Sequence, residues 1–458
     1  MELKGKQILV IGLGKTGIAA SRFAAGRGAA VTATDDKPEA ELREALGALE
    51  GLPLRVFTGG AAAAVVAGQD LVVPSPGVPP FHPLIREAER RGIPVVSETE
   101  LAFRFLRVPV IAVTGTNGKT TVTALIGHIL AESGKRAFVG GNIGSPLIGY
   151  VGGPQDDEWA VLELSSFQLQ RIETFRARVA VLLNTAPDHL DYHADIDEYR
   201  RAKERIFENQ QPQDLAVLNA DEPASEALAR RLAARVAFFS STAVPDEGMG
   251  LRGGAIVYRT AGREVETYPL SMIRLPGRHN VENVMAAVMA ARWAGCAPGA
   301  VAEAVGSFRG LAHRIEFAGE RGGVTFYDDS KGTNVSAVAR ALEAFEKPVI
   351  LLLGGRDKNG DFETLEPLIR RRVKALVLFG EARGVIGARI GGLVPTRAAA
   401  TMAEAVRAAY ADAAPGDVVL LSPGCASFDE FRSYAHRGEV FKDIVNRLDD
   451  RKTATGGH

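Results

Sequence analysis

The strongest constraint on this chain's fold is a run of small and polar residues, Thr114-Gly115-Thr116-Asn117-Gly118-Lys119-Thr120-Thr121, directly after the apolar segment Val108–Val113. The segment VPVIAV reads as a short strand buried on both faces, and a helix is expected to follow to about Ser133. A strand of that kind belongs to a parallel sheet covered by helices. The glycines between strand and helix let backbone N–H groups converge on an anion at the helix N-terminus. Lys119 could then reach the β and γ phosphates of a nucleotide, and the Thr120 hydroxyl could ligate Mg²⁺. The spacing is a variant of the strict phosphate-loop pattern, because Val113 stands where the first glycine would.

The same strand–turn–helix grammar occurs on both sides of this unit. At the start, a strand over Gln7–Ile11 meets Gly12-Leu13-Gly14-Lys15-Thr16-Gly17, and a helix should run through Phe23. A second strand, Ala30–Thr34, ends at Asp35 and Asp36. A third, Asp70–Val73, meets Pro74-Ser75-Pro76-Gly77, and Gly92–Ser97 (GIPVVS) is expected as the last strand of this part. The glycine turn fits G-x-G-x-x-G, which brings a pyrophosphate to a helix N-terminus, and Asp35 could accept from ribose hydroxyls. Taken alone, the turn leaves open a nicotinamide dinucleotide, another nucleotide, or a purely structural corner.

The middle part continues with strands at Trp159–Leu164, Val179–Asn184 and Leu215–Asn219. After Phe308-Arg309-Gly310 the pattern restarts, with strands near Thr325–Asp328, Val349–Leu353, Ala375–Phe379 and Val418–Ser422. The expected architecture is α/β in three domains. They are an N-terminal Rossmann-like domain (1–97), a central P-loop mononucleotide-binding α/β domain (98–310) and a C-terminal Rossmann-like α/β domain (311–458). The polar tail Arg451–His458 is expected to be disordered.

Composition excludes several classes of function. The 458 residues carry a net charge of −1, so no global basic field recruits nucleic acid or an anionic membrane. With only two cysteines, Cys296 and Cys425, neither a disulfide framework nor a cysteine-rich zinc site is expected. The opening residues lack a signal-peptide pattern, and no apolar run reaches the length of a membrane span. A cytoplasmic protein without membrane insertion is expected.

Several polar residues stand where parallel strands end, the rim at which α/β sheets bind ligands. Glu163 closes one such strand and suits Mg²⁺ as a hard oxygen ligand. Asp188-His189-Leu190-Asp191 follows another. The helix around Glu198–Phe207 is densely charged, and on charge alone Lys203 reads as part of a solvated face. Three polar, glycine-rich strand ends converge in the last part: Asp328–Asn334, Gly354–Lys358 and Ser422–Asp429.

Together these segments resemble the Mur ligase family over roughly Lys6 to Phe441. The elements that carry the likeness are GTNGKTT (115–121), GGNIGSP (140–146), LELSSFQL (162–169), NTAPDHLDYH (184–193) and YRRAKERIF (199–207). It continues through GRHNVENVMAA (277–287), LAHRIEF (311–317), DDSKGTNVSA (328–337), LLLGGRDK (351–358) and LSPGCASFDEFRSYAHRGEVF (421–441). The last element and the GLGKTG turn point to the D-glutamate-adding branch.

The resemblance implies an ATP-dependent ligase that joins D-glutamate to UDP-N-acetylmuramoyl-L-alanine through an acyl phosphate, as a monomer. It places the UDP substrate, and not a nicotinamide, at Gly14, Lys15, Thr16, Asp35, Asp36 and Ser75, with Asn142 and His189 nearby. ATP would be held by Gly115, Thr116, Asn117, Gly118, Lys119, Thr120 and Thr121, with Asn280, Asn283, Arg314 and Asp329. Two Mg²⁺ ions would sit among Thr120, Glu163, His189 and Lys203, the last as a carbamylated lysine. That implication reverses the reading of Lys203 as a surface residue, and Arg200, Arg201 and Arg205 would then stabilise its carbamate anion. Lys119, Asn142, His189 and Lys203 would be catalytic. Thr333, Lys358, Ser427, Phe428 and Tyr434 would hold D-glutamate.

Overall fold

The structure, a computed structural model, describes residues 1–186, 192–275, 277–357 and 360–449. Three sheets organise them. The first contains β1 (Gln7–Ile11), β2 (Ala30–Asp35), β3 (Leu54–Thr58) and β4 (Leu71–Pro74) in the order β3-β2-β1-β4, all parallel. β1 is almost wholly buried because Ile8, Leu9, Val10 and Ile11 pack between helices on both faces.

The second sheet begins with β5 (Val110–Thr114), β6 (Ala137–Gly141), β7 (Trp159–Glu163), β8 (Val179–Leu182) and β9 (Leu215–Asn219). It continues with β10 (Arg235–Ser240), β11 (Gly248–Arg252), β12 (Ala255–Thr260) and β13 (Arg263–Pro269). The order is β13-β12-β11-β10-β9-β8-β5-β7-β6. Strands β6 to β11 are parallel to their neighbours, while β11-β12-β13 is an antiparallel meander. The turn between β11 and β12, Gly253-Gly254, has positive φ at both residues, the backbone a two-residue hairpin requires.

The third sheet contains β14 (Glu316–Arg321), β15 (Val324–Asp328), β16 (Val349–Gly354), β17 (Val373–Phe379), β18 (Thr396–Ala398) and β19 (Val418–Gly424). Its order is β14-β15-β19-β16-β17-β18, with only β14 antiparallel. Separate apolar clusters cover its two faces, one around Leu351 and Leu420, the other around Leu352 and Val419. No helix among the described residues is long and apolar enough to cross a membrane.

The expected strands recur to within a residue or two, with one correction. Gly92–Ser97 is not a strand, because only Val95 forms a bridge, to Val72. Pro94 has no N–H to donate, and Ser97 turns the chain into the helix Glu98–Phe103 by accepting from Glu100 N. Seven strands, β3, β6, β10, β11, β12, β13 and β14, stand where the sequence reading set none, as does short β18.

Two compact units emerge. One comprises Met1–Ile273 with His279–Ser307, and the other Arg274–Arg278 with the chain from Phe308 onward. The first and second sheets share a unit because one apolar cluster runs through both, from Ile8 and Val31 through Leu101 and Ile148 to Leu162.

Candidate functional site

In the first unit, the G-x-G-x-x-G turn is packed to the limit. A Cβ on Gly17 would lie 1.8 Å from the Gly12 carbonyl oxygen, so only glycine lets the helix Lys15–Gly26 start this close to β1. Ser75, just past β4, donates to that same carbonyl at 2.9 Å. Asp35 closes β2, and its carboxylate accepts from Leu13 N (2.7 Å) and Lys37 N (3.0 Å). Asp35 therefore shapes the turn itself, a role beyond the ribose contact expected of it. Asp36 meets His82 Nε2 at 3.2 Å.

These groups line a cavity of about 570 Å³. It gathers Gly14, Lys15, Thr16, Asp35, Asp36 and Ser75 from around the first sheet and Asn142 from the second. Lys15 Nζ donates to the Gly144 carbonyl and ties the glycine turn to the GGNIGSP loop. His82, Gln168 and Lys37 also line the cavity. The sequence reading did not select His82 or Gln168, since no local pattern distinguishes them.

The second polar centre lies at the root of β5. Gly118 precedes the helix Lys119–Glu132 with φ +85°, and a Cβ there would fall 2.4 Å from Asn283 Oδ1. Asn283 Nδ2 donates to Asn280 Oδ1 at 2.9 Å, so this pair, one turn apart on the helix Arg278–Trp293, abuts the loop. Asn117 and Asn184 exchange hydrogen bonds, Asn117 N to Asn184 Oδ1 at 2.9 Å and Asn184 Nδ2 to Asn117 O at 3.2 Å. Thr116 Oγ1 accepts from Ala186 N and meets the Tyr199 hydroxyl at 3.2 Å. Lys119 arches over the loop and donates to the carbonyls of Gly115 and Thr116, both at 2.9 Å. Thr120 and Thr121 follow in the first turn of the helix. This is an anion cradle: a left-handed glycine, a helix N-terminus and a lysine over one loop.

Glu163 stands beside it, because the register pairs Val113 with Glu163. Its side chain is 2% exposed. Oε1 accepts from Asn142 Nδ2 at 2.9 Å, while Oε2 is buried with no partner among the described residues. A buried carboxylate oxygen left unpaired is costly, and a hard cation is the partner it lacks. The chemistry of this oxygen therefore fits Mg²⁺.

Lys203 is 1% exposed. Its Nζ donates to the Gly115 carbonyl at 2.8 Å and lies 4.4 Å from the centre of the Tyr199 ring. The reading of a solvated lysine is thus corrected: in the helix Ile196–Glu204, Tyr199, Ala202 and Lys203 form the buried side. The expected arginine support is corrected as well. Arg200 pairs with Asp197 and Glu204, and Arg205 with Glu208 and the carbonyls of Gln170 and Ile172. Arg201 is exposed. An aromatic group that the sequence reading missed stands alongside: His193 bonds Ser166 Oγ at 2.9 Å and packs against Phe167, Tyr192 and Tyr199. His189 lies outside the described residues, as does Lys358.

In the second unit, the ends of β15 and β19 meet. Asp329 N donates to Leu421 O at 2.7 Å, and Ser422 Oγ donates to Asp329 Oδ2 at 2.7 Å. Burial pushes the Asp329 carboxyl up to about 7, against the pull of Ser422 and Arg314. Gly424 N donates to Gly332 O at 2.9 Å, joining the loop that carries Thr333 to the strand that leads to Ser427. Ser427 is buried, whereas Phe428 and Tyr434 are exposed at this rim. His313 meets Asp328 Oδ2 at 2.7 Å and packs edge-on to Tyr434. Arg437, which no sequence signal singled out, is wholly buried below these loops.

Comparison with known proteins accounts for this combination. A protein of Syntrophus aciditrophicus (strain SB) called UDP-N-acetylmuramoylalanine–D-glutamate ligase is 56% identical over 448 residues, covering 97% of this chain and 98% of its own. The chain belongs to the Mur ligase family. Three family models match in sequence: the Mur ligase MurD-like N-terminal domain at 6–97, the Mur ligase middle domain at 113–291 and the glutamate ligase domain at 313–425. A protein of the same name from Acidobacterium capsulatum is 48% identical, over 97% of each chain. Among solved structures, a UDP-N-acetylmuramate-alanine ligase, MurC, from Thermotoga maritima aligns over 96% of this chain and 99% of its own, with TM-score 0.56 and 19% identity. A MurF ligase from the same organism, in complex with ADP, covers 97% of this chain and 96% of its own at TM-score 0.55 and 17% identity. These two share the three-domain Mur ligase fold.

Proposed function

We propose that this chain is an ATP-dependent ligase that adds D-glutamate to UDP-N-acetylmuramoyl-L-alanine, working as a monomer in cytoplasmic synthesis of peptidoglycan precursors. The observation that carries the reading is the 56% identity to a ligase of that name across nearly the whole of both chains. The two polar centres of the first unit support it, one a nucleotide-sized cavity and the other a phosphate cradle. We assign residues 1–97 to the UDP substrate, 98–310 to ATP and 311–458 to the amino acid.

The substrate carboxylate is a poor acyl electrophile. Its oxygen attacks the γ-phosphorus of ATP and ADP leaves, which gives an acyl phosphate. The D-glutamate amine then attacks the acyl carbon, phosphate departs, and the amine nitrogen loses a proton. Lys119 and the N–H groups of Gly115–Thr121 would stabilise charge on the transferring phosphoryl oxygens. Asn280 and Asn283 would back the loop. Gly14, Lys15, Thr16, Asp35, Asp36 and Ser75 would hold the UDP moiety. Asn142 both orients Glu163 and faces that cavity.

Thr120 and Glu163 would hold Mg²⁺, with His189 and a carbamate on Lys203 completing a two-ion site. Bound Mg²⁺ supplies neutralising charge to phosphoryl oxygens. Burial of Lys203 against the Gly115 carbonyl supports the carbamate assignment, since it brings this amine to the phosphate loop. Thr333, Lys358, Ser427, Phe428 and Tyr434 would hold D-glutamate.

The test is phosphate release with ATP, Mg²⁺ and UDP-N-acetylmuramoyl-L-alanine, supplying D-glutamate, L-glutamate, L-alanine or diaminopimelate in turn. Stimulation by D-glutamate alone is expected. Stimulation by another of these amino acids in its place would overturn the assignment.

A further inference from the structure

Arg437 is the largest wholly buried side chain among the described residues. It lies in the first turn of the helix Tyr434–Asn446, where the helix dipole disfavours a cation. Burial pushes its guanidinium down to about 10, although Asp429, Asp328 and Asp329 pull the other way. Nη2 donates to two backbone carbonyls, Ser330 O at 2.8 Å and Cys425 O at 3.0 Å. Nε and Nη1 are buried with no partner among the described residues. Backbone packs closely beside it: a Cβ on Gly355 would fall 2.4 Å from the Ala426 carbonyl oxygen and 3.0 Å from Nη1.

Stability is a weak reason for such a group. A buried cation with unmet donors is commonly less favourable than an apolar side chain of equal volume. The two acceptors suggest another reason. Ser330 belongs to the loop that ends in Thr333, and Cys425 lies two residues before Ser427. One nitrogen thus ties together the two loops assigned to the amino acid.

We propose that Arg437 is a positioning residue for the amino-acid site, setting the spacing between Thr333 and Ser427 by bridging the Ser330 and Cys425 carbonyls. This rests on the D-glutamate reading above. Arg437 does not touch the amino acid in this scheme. Its removal leaves the Gly424–Gly332 hydrogen bond as the tie nearest the site and loosens the Ser330 and Cys425 ends of the two loops, so D-glutamate binding weakens while the UDP substrate, held in the other unit, is unaffected.

The test compares Arg437→Met, which fills the space without donors, and Arg437→Lys, whose single ammonium retains the charge. KM for D-glutamate should rise by about 10-fold or more in Arg437→Met, the loss expected when charge-assisted hydrogen bonds that hold a site are removed. Arg437→Lys should lie between it and the wild type, and KM for the UDP substrate should stay within about 2-fold in both. Circular dichroism and thermal melting report whether each variant folds, and Arg437→Lys carries the test if Arg437→Met does not. An unchanged D-glutamate KM in a folded variant overturns the proposal. So does a parallel loss of all kinetic constants with the folded fraction, which marks a merely structural role. A wild-type protein that shows no turnover with D-glutamate instead refutes the functional reading on which the proposal stands.

Discussion

Replacing Glu98 by Gln should stabilise this protein at alkaline pH. Glu98 opens the helix between the first two sheets and is 1% exposed. Oε1 accepts from Ile148 N at 2.6 Å and Oε2 from Thr99 Oγ1 at 3.3 Å, with no cation bonded to either among the described residues. Burial raises its carboxyl from 4.5 to about 7. At about 1.4 kcal/mol per pH unit, the ionised form is then disfavoured by about 3 kcal/mol in the folded chain relative to the unfolded one. Between those two values the folded state keeps a proton that the unfolded state has released. Stability therefore falls as pH rises through this window, and the full penalty is present above pH 7. Gln keeps the acceptor for Ile148 N and carries no charge. Thermal denaturation of both proteins at pH 8 should show Glu98→Gln melting several degrees higher, since about 3 kcal/mol is a large share of a domain's net stability. Below pH 5 the difference should shrink towards zero. A variant less stable than wild type at pH 8, or a difference independent of pH, would refute the reasoning.

The other predictions concern the two polar centres. Gly118→Ala combines positive φ, which disfavours a side chain by roughly 1–2 kcal/mol, with a 2.4 Å clash against Asn283 Oδ1. KM for ATP should rise at least about 10-fold by that loss, with KM for the UDP substrate unchanged; kinetics showing an unaltered ATP KM would count against the cradle. Gly17→Ala must part the helix Lys15–Gly26 from the Gly12 carbonyl, so calorimetric titration with UDP substrate should show weakened binding, and wild-type affinity would argue that the substrate binds elsewhere. Lys203→Ala should lose about 100-fold or more in turnover, as when one charge-stabilising group leaves a site, and acetate should restore part of it. Full activity of this variant in CO₂-depleted buffer would return Lys203 to a structural role.

The strands at β1, β5 and β16 and the turns that follow them were legible in the sequence, because continuous apolar runs broken by glycine are local signals. The strands from β10 to β13, including the β11-β12-β13 meander, were not. A segment such as REVETYP is mostly exposed, and its polar residues resemble loop composition until a neighbouring strand pairs with it. Gly92–Ser97 misled in the opposite sense, since an apolar run beside a proline found only one bridge.

The polar centres divide in the same way. Gly118, Lys119 and Glu163 could be selected because each sits at a strand end, a position set by nearby sequence. The side-chain environments of Lys203 and Arg437 could not. Lys203 lies in a helix whose composition reads as solvated, yet it is buried by a carbonyl 88 positions away, that of Gly115. Arg437 finds one acceptor at Ser330, 107 positions earlier, and the other at Cys425. Periodicity and turn chemistry act over a few residues, so the sequence alone located the buried parallel strands and the phosphate-binding turn. Burial of a polar group depends on partners that distant segments bring to it, and only the tertiary structure decided which charges became internal.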